Sequence, residues 1–421
     1  MKIMVVGGGG REHAIIKKLK ENKNITQIFA LPGNGGMAND ATLVNIGAKD
    51  IEAQVEFAKA NGIDYAVVAP DDPLVLGAVD ALTDAGIPCF GPNKNAAIIE
   101  GSKVFSKNLM KKYNIPTAEY EVFSDLEDAL KYLETSPIPT VIKADGLALG
   151  KGVIIAETRD DAKAAVRSMM EDKIFGESGS NVVIEEFLTG PEVSVLSFTD
   201  GKTVVPMVSS MDHKRALDGD KGLNTGGMGT VAPNPYYTEA IAKECMDKIF
   251  IPTINAMNAE GRTFKGCLYF GLMITEKGPK VIEYNCRFGD PETQVVLPLL
   301  ESDLLTIMQA TTNGTLNETE VKFSNGAAAC VVIASSGYPQ KYESGYELKI
   351  GADVADKVYV AGAKLDNGVL KTAGGRVLGV TDTAPDLKTA LEKAYKNVES
   401  VTFGNAFYRK DIGKKAMEVL K

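Results

Sequence analysis

TVIKADGLALGKGVIIA, residues 140–156, decides how the rest of the chain is read. TVIKA (140–144) and GVIIA (152–156) are short β-branched runs joined by DGLALGK, which predicts a hairpin with a glycine-rich tip. A P-loop does not fit. Three residues separate Gly146 from Gly150 where that pattern needs four, and Gly152 stands where a Ser or Thr would hold magnesium. A glycine hairpin carrying Lys151 can instead fold over a phosphate chain, meeting it with backbone N–H groups and an ammonium. An ordinary mobile hairpin would have the same composition, so both readings stand at this point.

Upstream, short apolar runs alternate with amphipathic ones. KIMVV (2–6), IFAL (28–31), YAVVAP (65–70) and a short run at 87–90 read as strands. Helices are expected from Gly10 to about Leu19, around 51–60, near 74–85 and over 100–117. This alternation predicts a parallel sheet with helices on both faces. VVGGGGREH after the first strand fails the dinucleotide pattern, because Glu12 or His13 occupies its third glycine position. Four glycines opening a helix still offer free N–H groups to an anion, although a tight turn would look the same.

Downstream, residues 206–235 read as long and irregular, with MDHKR (211–215) just before GLNTGGMG (222–229). In PKVIEYN (279–285), strict alternation puts Val281, Glu283, Asn285 and then Arg287 on one face, with Ile282, Tyr284 and Cys286 on the other. A carboxylate beside an amide carbonyl makes a pair of hard oxygen donors suited to magnesium bridging phosphates. Arg287 suits a carboxylate or phosphate. An exposed polar strand face has the same pattern. Glu185, Glu186 and Glu192 add acids that are equally compatible with a site or a surface. Beyond 326, AAACVVIAS, KVYVAGAKL and GRVLGVT outline a separate small α/β module, closed by a helix from about 385 to 399.

Composition narrows the chemistry. The chain has 421 residues, 42 of them glycine, with ordinary hydrophobic (44%) and charged (24%) fractions, so extensive packed cores are expected. A net charge of −9 disfavours non-specific nucleic-acid binding. Five scattered cysteines without C-x-x-C fit a reducing compartment, and no apolar run is long enough for a membrane helix. Only His13 and His213 are available, so neither a His-based zinc site nor a histidine relay can be assembled.

Together the motifs closely resemble the glycinamide ribonucleotide synthetase family of ATP-grasp ligases, over the whole chain. They are GGGREH (8–13), PGN (32–34), FGP (90–92), EGSK (100–103), VIKADGLALGKGV (141–153), IEEFL (184–188), DHKR (212–215), NTGGMG (224–229), EYNCRFGDPE (283–292), GGRVL (374–378) and RKDIG (409–413). The resemblance implies an α/β and α+β multidomain chain. Its parts would be an N-terminal parallel α/β phosphoribosylamine-binding domain over 1–100, an ATP-grasp domain over 101–325 with a lid at about 119–188, and a small C-terminal α/β domain over 326–421. It implies ligation of glycine to 5-phosphoribosylamine, with ATP and Mg2+ or Mn2+, by a cytoplasmic monomer acting on small molecules without nucleic acid or membrane.

By the same resemblance, Lys103, Lys143, Gly150, Lys151 and Gly152 would meet the ATP phosphates. Glu185 and Glu186 would lie at the adenine end and Glu192 at the ribose. Glu283 and Asn285 would hold the metal, and Lys214 would face the transferred phosphoryl group. Asp212 and Arg287 would take the two ends of glycine, and Gly9, Asn34 and Asp71 would cradle the phosphoribosyl group. Two positions depart from the family: Asp71 replaces a glutamate, and Leu223 replaces the proline before NTGGMG. A ligase for another carboxylate and a non-catalytic nucleotide sensor are the alternatives; the intact Glu283, Asn285 and Lys214 set disfavours the sensor.

Overall fold

The structure is a computed structural model that describes residues 1–147 and 152–420; Gly150 and Lys151 lie outside the described residues. Five parallel strands form the N-terminal sheet in the order Thr42–Leu43, Gln27–Pro32, Lys2–Gly7, Tyr65–Val68, Cys89–Phe90. Ile3, Met4, Val5 and Val6 are all fully buried. Met4 and Val6 pack into one core, and Ile3 and Val5 into another that contains the helix Gly10–Leu19. A strand covered on both faces reads as a continuous apolar run, which is why KIMVV does not alternate.

Two expected helices are broken. The segment near 74–85 forms Asp71–Leu76 and Ala78–Asp84, separated at Gly77, whose φ of +97° is left-handed. The segment over 100–117 lies in Lys94–Gly101 and Lys103–Lys112. Between them Ser102 is extended and caps the second helix by accepting from the Phe105 N–H.

The glycine hairpin is antiparallel as expected, pairing Thr140–Ala144 with Val153–Ala156. Its sheet runs Tyr120–Phe123, Val182–Glu186, Thr140–Ala144, Val153–Ala156, and the helices Leu126–Leu133 and Arg159–Met170 build a separate core against it. A second antiparallel sheet runs Val204–Pro206, Glu192–Thr199, Gly266–Thr275, Gly278–Asn285.

The region read as irregular is strand-rich, and two of its strands extend the sheet of the C-terminal domain. Met211–Asp212 and Gly229–Ala232 join Ala327–Ser335, Arg376–Ala384 and Val358–Val360 in one sheet. All nine residues of Ala327–Ser335 are buried, so an unpaired edge there would leave N–H and C=O groups without partners. Gly229–Ala232 supplies that pairing. It thereby ties the stretch carrying Asp212 and Lys214 to the end of the chain.

Candidate active site

The site is organised by a β-bulge. In Gly278–Asn285 the register slips so that Glu283 faces Gly271 while Val281 faces Leu272, leaving Ile282 as the extra residue. Val281 and Tyr284 therefore both enter the core, and Glu283 and Asn285 stay on the cleft side. Strict alternation had put Val281 on the face of Glu283; the inserted residue reverses that, as bulges do when they re-aim a side chain. The bulge also leaves the Ile282 carbonyl free to accept from Lys143 Nζ at 3.0 Å.

Glu283 lies among cations. Lys214 Nζ is 3.9 Å from its carboxylate and 3.3 Å from that of Glu192. Burial would raise the Glu283 carboxyl, but Lys214, Lys143, Lys103 and Arg287 outweigh it and hold the group below its ordinary range. Lys214 is held above its ordinary value, chiefly by Glu192 and, against its own burial, by Glu283. Three of these cations also pair with other acids, Lys214 with Glu192, Lys143 with Glu185 and Arg287 with Glu100, so cations and carboxylates alternate through the site. Lys103 donates to the Gly146 carbonyl at 2.9 Å, and Ala144 N–H donates to Gly152 O, closing the hairpin's base. Asp145, which the sequence reading passed over, accepts from Ser102 Oγ and Val104 N–H and docks that base onto the helix Lys103–Lys112.

Neighbouring glutamates point to opposite sides of their strand. Glu185 is buried between Lys143 at 3.0 Å and Lys107 at 3.1 Å. Glu186 is half-exposed, accepts from Glu119 N–H and pairs with Lys280 at 3.3 Å. Glu185 Oε2 meets both ammoniums, while its buried Oε1 has no partner among the described residues. Lys107 was missed. Four residues after Lys103 it shares that helix face, and burial pushes its ammonium down to about 8 in spite of Glu185.

A second pocket joins Asp212, Glu292 and Arg287. Burial, then the nearby Glu292, holds Asp212 well above the carboxylate range. Glu292, raised first by burial, accepts from Tyr269 OH at 3.2 Å. Arg287 Nη2 donates to Glu100 and to Asn285 Oδ1, both at 2.9 Å, while its buried Nε has no partner among the described residues. Glu100, at the end of Lys94–Gly101, also accepts from Cys286 N–H, and Asp71 acts on the same Arg287–Glu100 pair through its charge. Glu100 and Glu292 sit inside motifs already quoted, but only the folded chain shows what they touch.

The N-terminal loop binds carboxylates of the protein itself. Gly9 N–H donates to Glu12 at 2.6 Å, and the Asp290 carboxylate lies close beside Gly9 and Gly10. At this helix start the Gly9 N–H is taken up by a carboxylate of the chain itself. Asn34 is fully used: it donates to Gly8 O and Val360 O and accepts from Gly36 N–H. Neither histidine faces the cleft. His13 accepts from Val360 N–H and so donates to Asp40, whereas His213 accepts from Gly413 N–H and donates to Gly229 O.

The fold is that of the ATP-grasp ligases. It resembles the biotin carboxylase domain of 2-oxoglutarate carboxylase from Hydrogenobacter thermophilus with a TM-score of 0.76, 15% identity, and coverage of 100% of this chain and 98% of that one. Within that class the chain belongs to the phosphoribosylglycinamide synthetase family, whose N domain matches residues 1–100, ATP-grasp (A) domain 101–293 and C domain 328–415. It is 49% identical over 414 residues to the phosphoribosylamine–glycine ligase of Clostridium acetobutylicum, covering 98% of this chain and 100% of that protein. For the Listeria monocytogenes ligase the identity is 48%, covering 99% and 100%. The crystal structure of phosphoribosylamine–glycine ligase from Thermotoga maritima superposes with a TM-score of 0.87 at 33% identity, covering 98% of this chain and 100% of that one.

Proposed function

We propose that the chain ligates glycine to 5-phosphoribosylamine, cleaving ATP to ADP and phosphate, as a step of purine biosynthesis. The observation that carries this reading is Lys214. Its ammonium pairs with Glu192 and approaches Glu283, while Asp212, two residues earlier, belongs to the pocket with Glu292. One short stretch thus joins a nucleotide-facing set of acids to a pocket for a small amino acid.

The glycine carboxylate attacks the γ-phosphorus, ADP leaves, and glycyl phosphate forms. The ribosylamine nitrogen then attacks the glycyl carbonyl carbon, phosphate leaves with the C–O bond pair, and the nitrogen gives up one proton. Phosphoryl transfer depends mainly on positioning and charge neutralisation, so the absence of a histidine from the cleft is no obstacle. Lys103 and Lys143 neutralise nucleotide phosphates, with Gly150, Lys151 and Gly152 closing over them. Glu185 and Glu186 mark the adenine end, and Glu192 takes the ribose hydroxyls. Lys214 meets the transferred phosphoryl group. Asp212 takes the glycine ammonium and Arg287 its carboxylate, a role for which the unpartnered buried Nε is a donor in reserve. Gly9, Asn34 and Asp71 lie along the phosphoribosyl side.

Glu283 and Asn285 fit Mg2+ or Mn2+ arriving with ATP. They would supply two hard oxygens; no three His, Cys, Asp or Glu side chains are grouped to hold a metal among the described residues, so an ion there would depend on oxygens that come with the nucleotide. Such an ion would supply charge neutralisation and orientation of the phosphates.

We assign 1–100 to phosphoribosylamine binding, 101–325 to the ATP-grasp unit with its lid at 119–188, and 326–421 to a C-terminal domain. The enzyme works as a monomer on small molecules, without nucleic acid or membrane; the described residues contain no helix long and apolar enough to cross one. Five free, buried cysteines support a cytoplasmic location. A substrate-dependence matrix tests the reading. ADP release should require ATP, glycine and phosphoribosylamine together, with alanine a poor substitute. Rapid release with another carboxylate and none with glycine would overturn it in favour of a different ATP-grasp ligase.

A further inference from the structure

Arg376 lies at the start of Arg376–Ala384, where the register slips so that Ala334 faces Arg376 while Ile333 faces Leu378. This second bulge turns the guanidinium out of its sheet and towards the pocket of Asp212. Nη1 donates to Gly226 O at 2.7 Å and to Asp290 O at 2.8 Å, with Gly227 O at 3.4 Å; Nη2 is 3.5 Å from Asp290 Oδ2. One planar cation therefore ties the NTGGMG loop to the Asp290–Pro291 turn.

Asp212 sits between these two segments. A Cβ on Gly227, whose φ is +116°, would lie 2.5 Å from both Asp212 Oδ1 and Pro291 Cδ, and one on Gly226 would lie 2.8 Å from Arg376 Cζ. The loop is anchored at its other end by Thr225, whose N–H and hydroxyl both donate to the Lys214 carbonyl. Backbone is thus packed directly against the Asp212 carboxylate, and Arg376 sets how far that backbone can move.

We infer that Arg376 is a positioning residue for the amino-acid pocket. It holds the Gly226–Gly227 backbone and the Asp290–Pro291 turn so that Asp212 meets the ammonium of an α-amino acid without leaving room for a side chain. The inference rests on the assignment of Asp212 to glycine. It makes the C-terminal part of the chain responsible for glycine affinity and for the rejection of alanine, with no contact to the nucleotide.

Steady-state kinetics of the full-length Arg376→Ala enzyme, varying glycine, alanine and ATP separately, tests this. Loss of two charge-assisted hydrogen bonds should raise the KM for glycine by about 30-fold and narrow the glycine-over-alanine preference, with the KM for ATP within about twofold of wild type. Added guanidinium should restore much of the glycine affinity, which repair of a generally loosened fold would not explain. Arg376→Lys keeps the charge but donates from a single nitrogen and cannot span both segments. It should show the same glycine-selective defect at about tenfold, and it decides the matter if the alanine variant does not fold. A KM for glycine within about threefold of wild type in both variants overturns the inference. So does a parallel rise for ATP and glycine that guanidinium leaves unchanged. A wild-type enzyme that turns over a different amino acid and not glycine overturns the underlying reading, and the ligand named here with it.

Discussion

Glu185 in the sheet of the glycine hairpin and Glu283 in the sheet that ends with Gly278–Asn285 are both acids with lysines nearby, yet their surroundings differ. The Glu185 side chain is 4% exposed and touches Lys107 and Lys143 at contact distance; that of Glu283 is 34% exposed, and its nearest ammonium is 3.9 Å away. A buried acid neutralised by direct contact is part of the framework. An acid held ionised by cations at longer range keeps its lone pairs for a ligand. The two differ both in exposure and in whether an ammonium of the chain sits in direct contact with the carboxylate.

Substituting Glu283 puts that contrast under the greatest strain. Glu283→Gln keeps the shape but removes the charge, and turnover should fall by about a thousandfold, with partial recovery in excess magnesium and little change in melting temperature. Near-normal turnover would make Glu283 an ordinary strand residue. Glu185→Gln should show the reverse balance. Two buried lysines lose their counter-ion, so unfolding free energy should drop by about 3–5 kcal/mol in a urea titration, whatever happens to the rate. A variant as stable as wild type would abolish the distinction drawn here.

Two smaller effects sharpen it. Burial holds His213 down to about 4, against an ordinary 6.5, while both its ring nitrogens serve the fold. The unfolded chain therefore takes up this proton first. The contribution is complete above pH 6.5 and is lost as the pH falls towards 4, about 3 kcal/mol in all. His213→Gln should flatten that part of the stability profile between about pH 7 and about pH 4.5, and an unchanged slope would exclude His213 as its source. Glu186, next to Glu185 but paired with Lys280 near the surface, should be the mildest. Glu186→Gln is expected to cost less than about 1 kcal/mol in stability and to act on the KM for ATP, leaving turnover at saturating ATP within about twofold.

Read alone, the sequence determined the parallel N-terminal sheet, the antiparallel glycine hairpin and the motifs on which the proposed site is built. Those features are local: apolar runs of strand length, glycines where a turn needs them, and acids and amides two residues apart. The tertiary structure decided what those residues do to one another. The bulge at Ile282 exists only in the pairing with Gly266–Thr275, and it turned Val281 away from Glu283. The joining of 211–232 to the C-terminal strands depends on the edge of Ala327–Ser335 needing a partner. Asp290 lies beside Gly9 and Gly10 at the start of the chain, and Arg376 reaches Gly226 across 150 residues. Hydrogen bonds and ion pairs at such separations leave no periodicity in the chain, because what selects them is the packing of distant segments and the cost of burying a charge without a partner.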